Sequence, residues 1–245
     1  MKNSLQSLLA VALFSSLILA GGAQAGVVDD FNRPDGPLGA NWAVQAGTCA
    51  VVSNQASCTG QSLATYTGGT GITVEADVFD TGAGLAYTAL VLGYADLADS
   101  LYIKVQDSGG GEFDTYGLYF GVNGINNPAW STGEIFNSLT TPFSSAHMIV
   151  SLSGDTVTLS LDTNFDSVID QVYTASGVPL GLLGTGVGIG GLNSDTSLDN
   201  FAVAGLGAIG GGSTGVPEAP TVALLGGGLL LLGFAGLRRR SQAIC

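Results

Sequence analysis

Short runs of alternating apolar and polar residues recur through the middle of this chain, separated by turns rich in Gly, Asn and Asp. Between residues 26 and 205 no stretch keeps the 3.6-residue period of an amphipathic helix. In the clearest run, every second residue from Ile72 to Val78 is apolar, while Glu75 and Asp77 lie on the other face. A period of two residues is typical of a strand with one buried face. The pattern therefore restricts this part of the chain to an all-β fold.

Further alternating runs follow at intervals of about ten residues. The turn Ser153-Gly154-Asp155 joins two of them, which indicates a hairpin with one buried face. Many short strands spread over about 180 residues favour a two-sheet sandwich over a barrel or a repeat array. We therefore predict an all-β, two-sheet antiparallel jelly-roll sandwich. Besides the run at 72–78, strands are predicted at residues 101–105, 116–122, 147–152, 156–161 and 168–173.

The chain is strongly acidic, with 19 Asp and Glu against 6 Lys and Arg in 245 residues and a net charge of -13. Between the terminal segments only Arg33 and Lys104 are basic. Phosphate binding needs clustered Lys and Arg, so we expect no nucleic-acid partner. The single histidine, His147, excludes sites that need two imidazoles, including most zinc and copper sites. No Ser or Cys motif accompanies His147, and we interpret it as a strand residue at a sheet edge or core margin.

The N-terminus has the three parts of a secretory signal peptide. Lys2 precedes an apolar run at residues 8–20, and Ala23 and Ala25 are the small residues that a signal peptidase reads before Gly26. The alternative, an uncleaved anchor helix, is disfavoured because a bilayer needs roughly 20 apolar residues. We predict cleavage between Ala25 and Gly26, and hence export.

The C-terminus has a second apolar segment. Residues 221–237 are uncharged and rich in Leu and Gly, and Arg238, Arg239 and Arg240 follow at once. This length is adequate for a short transmembrane helix when the flanking residues help. By the positive-inside rule the arginines hold that end in the cytoplasm, which is the topology that the signal peptide also requires.

Just before this segment lies the sequence Val216-Pro217-Glu218-Ala219-Pro220. Together with the apolar helix and the basic cluster it resembles the PEP-CTERM sorting signal. In that family an exosortase, a membrane-embedded cysteine protease, reads the tail during export in Gram-negative bacteria that make exopolysaccharide. This chain departs from the motif at Ala219, where the second proline is expected. The alternative is an ordinary single-pass anchor.

The predicted organisation has four parts. They are a signal peptide at 1–25, a β-sandwich domain at 26–205, a Gly-rich linker at 206–216 and a PEP-CTERM-like sorting segment at 217–241, with the transmembrane helix at 221–237.

Both ends of the middle domain contain recognisable segments. Residues 29–42, from Asp29-Asp30-Phe31 to Trp42, and the closing segment Leu198-Asp199-Asn200-Phe201-Ala202-Val203 resemble the two ends of concanavalin A-like, laminin G-like jelly-roll domains. The resemblance implies one such domain over about residues 27–204, with its first and last strands side by side. It also makes Asp30 and Asp199 a possible calcium pair.

Cys49 and Cys58 lie nine positions apart, a spacing that a hairpin brings face to face. In an oxidising compartment this predicts a disulfide, which would stabilise the fold by roughly 2 to 3 kcal/mol. The alternative is two free buried thiols. Cys245 lies beyond the basic cluster and is expected to be unpaired.

Three carboxylates lie close together in the run at 72–80. Glu75, Asp77 and Asp80 resemble the Glu-x-Asp-x-x-Glu strand of laminarinase-like glycosidases, with Asp80 one methylene shorter than the last Glu. A retaining mechanism needs carboxyls about 5 to 5.5 Å apart, and Asp80 would need a bulge to share their face. The alternative, which we prefer, is a strand whose acidic face meets solvent.

A candidate calcium loop spans residues 162–170. Asp162, Asn164, Asp166 and Asp170 supply oxygen ligands at positions 1, 3, 5 and 9 of such a loop. Ser167 replaces the turn glycine, and no Glu closes the loop. The alternative is a polar hairpin turn without metal.

Three functions compete: a surface-sorted binding or exopolysaccharide-matrix protein, an exported laminarinase-like glycoside hydrolase, and a plain membrane-anchored structural protein. We prefer the first, without enzyme activity, because the catalytic pattern is incomplete. The expected partners are an exosortase, extracellular polysaccharide and, before processing, the membrane, and calcium is the candidate cofactor. The protein would pass the inner membrane as an anchored precursor and reach the cell surface or extracellular matrix of a Gram-negative bacterium.

Overall fold

The computed structural model of the protein describes residues 26–121 and 135–204. The chain divides into two units, Met1–Gly211 and Gly212–Cys245, and all described residues belong to the first. The predicted signal peptide, linker, sorting motif and transmembrane helix lie outside the described residues. Within the described ranges, no helix has the length and apolar character needed to cross a membrane.

The described residues are almost entirely β-strand, with one 3-10 turn at Leu180–Leu182. In chain order the strands of this part are β1 Gly26–Asp29, β2 Gly36–Pro37, β3 Trp42–Val52, β4 Gln55–Thr70, β5 Thr73–Asp80, β6 Ala86–Tyr94, β7 Leu101–Asp107, β8 Phe113–Phe120, β9 Ile135–Phe143, β10 Ser145–Ser153, β11 Thr156–Asp162, β12 Gln171–Ala175, β13 Gly186–Gly191 and β14 Thr196–Ala204.

All recorded strand pairs are antiparallel, and they form two halves. One half has the order β12-β11-β10-β5-β14, and the other has the order β4-β13-β6-β7-β8-β9 with β3 on the free side of β4. The halves are joined by the single pair Leu198 and Ala56 between β14 and β4. Side chains from both halves meet in one buried cluster, to which Val74 and Met148 contribute from the first half and Leu90 from the second. This confirms the predicted all-β antiparallel sandwich.

The alternating pattern predicted the first half well. In β5, β10 and β11 every second side chain is buried, so that one face of each strand lies in the core. The largest differences from the predicted bounds are at the starts of two strands. The run at 116–122 forms β8 at Phe113–Phe120, and the run at 168–173 forms β12 only from Gln171. Val168 is 61% exposed and belongs to the loop, because Asp170 caps that loop by accepting the Thr163 amide at 2.8 Å.

The predicted disulfide is present. Cys49 and Cys58 are directly opposed in the β3–β4 ladder and are bonded to each other. The hairpin that aligns them turns at Ser53 and Asn54, whose φ angles are 53° and 62°. Two positive φ values are the mark of a two-residue type I′ turn, the hairpin turn whose twist matches that of the strands.

The two ends of the domain lie side by side, as the jelly-roll resemblance implied. β1 pairs with β14, with Gly26 opposite Val203. Asp29, at the end of β1, accepts hydrogen bonds from Arg33 at 2.7 and 3.0 Å and from the Trp42 indole at 2.6 Å. The Trp42 ring also packs on Phe201 of β14, with 5.1 Å between ring centroids. One carboxylate therefore links the first strand to the aromatic core beneath the last strand.

We expect Asp29→Ala to lower the free energy of unfolding by about 2 to 3 kcal/mol, because it removes the acceptor of the Trp42 indole and the charge partner of Arg33, which keeps the Leu38 carbonyl as an acceptor. Urea unfolding followed by Trp fluorescence measures this loss. Asp155→Ala, at an exposed turn residue, is the matched control and should change it by less than about 0.5 kcal/mol. Equal effects of the two substitutions would contradict this account of Asp29.

Candidate functional site

Strand register places four titratable side chains in one row across the outer face of the first half. Asp199 of β14 is opposite Asp77 of β5, which is opposite His147 of β10, which in turn is opposite Asp162 of β11. Directly opposed residues of antiparallel strands project from the same face. The row therefore gathers residues that lie up to 122 positions apart in the sequence onto one surface.

His147 is held between two carboxylates. Its Nδ1 lies 2.7 Å from Asp77 Oδ1, and its Nε2 lies 3.2 Å from Glu75 Oε2. Both ring nitrogens can donate only when the imidazole is protonated. The hydrogen bonds to Asp77 and Glu75 accordingly raise the pKa of His147 to about 9, against the opposing effect of burial. At neutral pH the row has an imidazolium at its centre.

Asn200 completes the surroundings of Asp77. Burial alone would raise the pKa of Asp77, but hydrogen bonds from His147 and from Asn200 Nδ2, at 2.7 Å, lower it. Asn200 reaches Asp77 because the β14 ladder is irregular between Asp199 and Ala202, where Asn200 has a φ of 52°. Bulges of this kind redirect a side chain within a sheet. The carboxylate of Asp77 is therefore fixed from two strands.

Asp199, at the end of the row, has the opposite shift. Burial raises the pKa of Asp199, and repulsion from Asp77, Asp30 and Asp29 raises it further. The hydrogen bond that its carboxylate accepts from the Asn200 amide acts in the opposite direction. Asp30 caps the Asn32 amide at 3.1 Å. The suggested calcium pair of Asp30 and Asp199 thus has both side chains hydrogen-bonded to neighbouring main chain.

An open cleft of about 380 Å³ lies beside His147. Its floor is formed by the strand residues His147, Ile149 and Asp162, and its wall by the loop that follows β11. The loop contributes Phe165, Ser167 and Ile169.

The carboxylate of Asp162 fixes the main chain of this loop through hydrogen bonds. Its carboxylate accepts the main-chain amides of Asn164 and Asp166, each at 3.3 Å, and of Ser167 at 2.7 Å. Phe165 and Ser167 have φ angles of 59° and 67°, which are uncommon for residues other than glycine. Backbone held in such conformations is frequent at ligand-binding sites, where the surrounding structure maintains it.

These contacts bear on the predicted calcium loop. The residues from Asp162 to Asp170 do form the connection between two strands, as the hairpin alternative proposed. The oxygens of Asp162 face main-chain amides, and Asp170 Oδ2 faces Thr163. Over residues 26–121 and 135–204, no three His, Cys, Asp or Glu side chains converge as a metal cluster. Calcium binding by Asp162, Asn164, Asp166 and Asp170 stays a prediction.

The far end of the loop is anchored across the sandwich. Gln171 exchanges hydrogen bonds with the main chain of Thr141 in β9, at 2.9 and 3.2 Å. Tyr173 accepts the Thr140 amide at 2.7 Å and stacks on Tyr116, with 3.9 Å between ring centroids. The wall of the cleft is therefore fixed at both of its ends.

The three carboxylates of β5 lie only partly where the sequence predicted them. Glu75 and Asp77 share the outer face, as predicted, but they pair with His147 and are mostly buried rather than solvated. Asp80 lies on the opposite, inward face and is 9% exposed. The β5–β10 ladder runs without a register shift from Thr73 to Phe79, so no bulge turns Asp80 outward.

His147 is a half-buried strand residue, as the sequence interpretation had it, but the sheet-edge alternative was wrong. β10 pairs with β5 on one side and β11 on the other, so the residue lies in the interior of a sheet rather than at its edge. The hairpin turn at Ser153-Gly154-Asp155 was the signal that could have located it, because that turn sets His147 opposite Asp162. Nothing in the local sequence pattern marked Phe165, Ile149 or Asn200 as site residues.

Positive charge is scarce around the cleft. Besides His147, whose charge is balanced by Glu75 and Asp77, the basic side chains of the described ranges are Arg33 and Lys104. Arg33 is paired with Asp29, and Lys104 Nζ lies over the rings of Tyr87 and Tyr119 of the other half, at 4.3 and 5.0 Å. The site is therefore unsuited to phosphate, sulfate or other dianions.

Comparisons with known proteins give likenesses to solved structures. No protein-family profile matches the sequence, and no curated protein matches it. The solved structures include carbohydrate-binding module CBM66 from Bacillus subtilis, at 17% identity over 69% of this chain and 97% of that chain, with a TM-score of 0.45. A legume lectin-like domain from Entamoeba histolytica matches at 12% identity over 68% and 91%, with a TM-score of 0.42. A glycoside hydrolase family protein from Mycobacterium thermorestibile matches at 14% identity over 76% and 93%, with a TM-score of 0.44.

The chain contains one histidine, so its imidazole signal in an NMR titration is assigned without mutagenesis. We expect a midpoint of about 9 in the folded protein, because Asp77 and Glu75 both favour the imidazolium. In Asp77→Asn the midpoint should move back toward 6.5. A wild-type midpoint near 6.5 would contradict the paired geometry.

The same pairing links stability to pH. Because the pKa of His147 is raised in the folded protein, the stabilisation from its pairing with Asp77 and Glu75 is fully present below about pH 6.5. It is lost as the pH rises through about 9. The difference in unfolding free energy between wild type and His147→Asn should therefore shrink over this window, by on the order of 2 kcal/mol. Urea unfolding at several pH values measures it, and a pH-independent difference would refute the linkage.

Proposed function

We propose that this chain is an exported binding protein of the cell surface or extracellular matrix, and that its β-sandwich binds a carbohydrate in the cleft beside His147. The observation that supports this most directly is the mixed lining of the cleft. Phe165, Ile149 and Ile169 are apolar, whereas His147 and Asp162 are polar. A pyranose has the matching character, with apolar C–H faces and hydroxyl groups around its edge.

The exposure of the apolar residues supports a ligand that stacks. Phe165 is 45% exposed and Ile169 is 39% exposed, although both side chains are large and apolar. Sugar-binding sites use such surfaces together with a few fixed polar groups that set orientation. His147 and Asp77 are fixed in this way by their mutual hydrogen bond and by Asn200.

The rival function, glycoside hydrolysis, needs two carboxyls in different protonation states on either side of the bond. Glu75 and Asp77 both accept hydrogen bonds from the same imidazolium, and against the effect of burial the hydrogen bonds from His147 and Asn200 lower the pKa of Asp77. Asp80, the third carboxyl of the strand, faces the interior. This arrangement supports binding without hydrolysis.

We expect Phe165→Ala to weaken binding of the recognised glycan by about tenfold, because it removes the stacking surface. Affinity electrophoresis of the exported protein in β-glucans, agar-type polysaccharides and exopolysaccharides identifies the glycan and measures the change. Phe136→Ala is the matched control, since Phe136 is 50% exposed on β9 of the other half. Equal losses in the two variants, or no binding to any polysaccharide, would overturn this proposal.

The same polysaccharides test the rival function. Incubation with the purified protein should release no new reducing ends. Release that disappears in Glu75→Gln would establish a hydrolase instead.

The surface location rests on the two ends of the chain and on the disulfide. A Cys49–Cys58 bond is typical of an oxidising, exported environment. The tripartite tail from Val216 to Arg240 supports processing by an exosortase, after a membrane-anchored stage.

We expect intact-mass analysis of the envelope or extracellular form to find Gly26 at the N-terminus and a C-terminus before Arg238. Both ends would then have been removed during export. Recovery of a peptide containing Arg238 to Cys245 would show that the tail is a plain anchor.

A further inference from the structure

The outer face of the first half continues beyond the cleft as a surface of short side chains. Ile149, which lines the cleft, is opposite Ser160 of β11, and Ser160 is opposite Val172 of β12. Two residues further along these strands, a second row carries a hydroxyl group in each of four neighbouring strands, namely Thr73 of β5, Ser151 of β10, Thr158 of β11 and Thr174 of β12. We call Ser160 and these four residues the hydroxyl strip.

The hydroxyl strip lies in line with the cleft. His147, Ile149 and Ser151 share one face of β10, because side chains two residues apart in a strand project to the same side. The loop that forms the wall of the cleft follows β11, at the opposite end of that strand from Thr158. The strip therefore extends the cleft away from this wall. From His147 to Ser151 the extension measures about 13 Å, at a strand rise of about 3.3 Å per residue.

The hydroxyl groups of the strip have no partners within the protein. Each can both donate and accept a hydrogen bond, and none is engaged in one among residues 26–121 and 135–204. Other hydroxyls of the domain are used internally, as at Ser62, which donates to the Gly191 carbonyl at 3.1 Å. All five side chains of the strip are half-buried or exposed. Five donor and acceptor groups therefore face solvent on one surface.

This surface is nearly free of charge, in contrast to the net charge of -13 on the chain. In the two rows that contain the strip, Glu75 is the one charged residue, and its carboxylate lies against His147. Val172 is 57% exposed and adds apolar surface beside Ser160. Hydroxyl groups next to small apolar groups match the hydroxyls and C–H groups of an uncharged sugar, and they offer nothing to hold an ion.

We propose that the cleft and the hydroxyl strip form one extended site for a segment of a neutral polysaccharide that is several sugar units long. This inference rests on the proposed function, because it takes the cleft as the place where one unit stacks on Phe165. The neighbouring units lie along β10 and β11, where their hydroxyls exchange hydrogen bonds with those of the strip. A single sugar uses the cleft alone, so the affinity depends on chain length.

Isothermal titration calorimetry with neutral β-1,3-glucan and agarose oligosaccharides, from the disaccharide to the octasaccharide, tests the proposal. The affinity should rise by about tenfold between the disaccharide and the longer chains, because each further unit adds hydrogen bonds to the strip. It should then level off once the strip is covered.

The double variant Thr158→Val with Thr174→Val removes two directly opposed hydroxyls of the strip and keeps side chains that are branched at Cβ. It should bind the octasaccharide about tenfold more weakly than the wild type and the disaccharide equally well. Thr48→Val with Thr59→Val is the matched control, since these two threonines are directly opposed in β3 and β4 of the other half. The control should leave both affinities unchanged.

A measurement on the wild type covers the case in which the double variant fails to fold. In amide NMR spectra the octasaccharide should shift the signals of Ser151, Thr158 and Ser160. The disaccharide should shift only signals around His147 and Phe165.

Three results would overturn the proposal. Binding that requires Phe165 but does not strengthen with chain length would reduce the site to the cleft and leave the proposed function in place. A gain with chain length that Thr158→Val with Thr174→Val retains would place the further sugar units on another surface. Absence of binding to every oligosaccharide and polysaccharide would overturn both the extended site and the proposed function.

Discussion

The last strand, β14, enters the sandwich between β5 on one side and β1 and β4 on the other, and the rest of the structure depends on these pairings. The N-terminal part of β14 joins the two halves of the sandwich through Leu198. Its C-terminal part pairs with β1, while Phe201 packs on Trp42 in the core. The ladder irregularity between these two parts of the strand turns Asn200 toward Asp77. The pairing of the first and last described strands and the row of Asp199, Asp77 and His147 on the outer face therefore depend on the same register of β14.

Electrostatics on the outer face follow from the composition. The described ranges contain many carboxylates and two Lys or Arg side chains. Neighbouring carboxylates on one face of the sheet would therefore repel each other. His147 relieves this repulsion by placing one positive charge between Glu75 and Asp77. Because both of its nitrogens are engaged, the imidazole positions carboxylates and has no lone pair for use as a base. The cluster is suited to fixed hydrogen bonding at the edge of a cleft.

The parts of the structure that sequence reasoning predicted are those set by local periodicity. Alternation located β5, β10 and β11, and a nine-residue spacing located the disulfide. The candidate site depended on information of another kind. His147 meets Asp77 only through the β5–β10 register, which is set by packing between strands about 70 residues apart. Phe165 reaches the cleft through a positive φ that its residue type disfavours, so no propensity argument would predict it.

The two aspartate turns of the domain show why residue type alone does not identify a cation site. Asp162 and Asp107 each accept three main-chain amides, and such hydrogen bonds can fully account for a buried carboxylate as a cap of its own loop. The difference lies in what stands opposite. Across from Asp162 is the protonated His147, so charge is already balanced there. Across from Asp107 is Asp80, whose pKa is raised by burial, and this favours a protonated carboxyl that can donate to Asp107. The same kind of cap therefore occurs in two settings: an imidazolium balances the charge opposite Asp162, and the raised pKa of Asp80 favours a proton that balances the charge opposite Asp107.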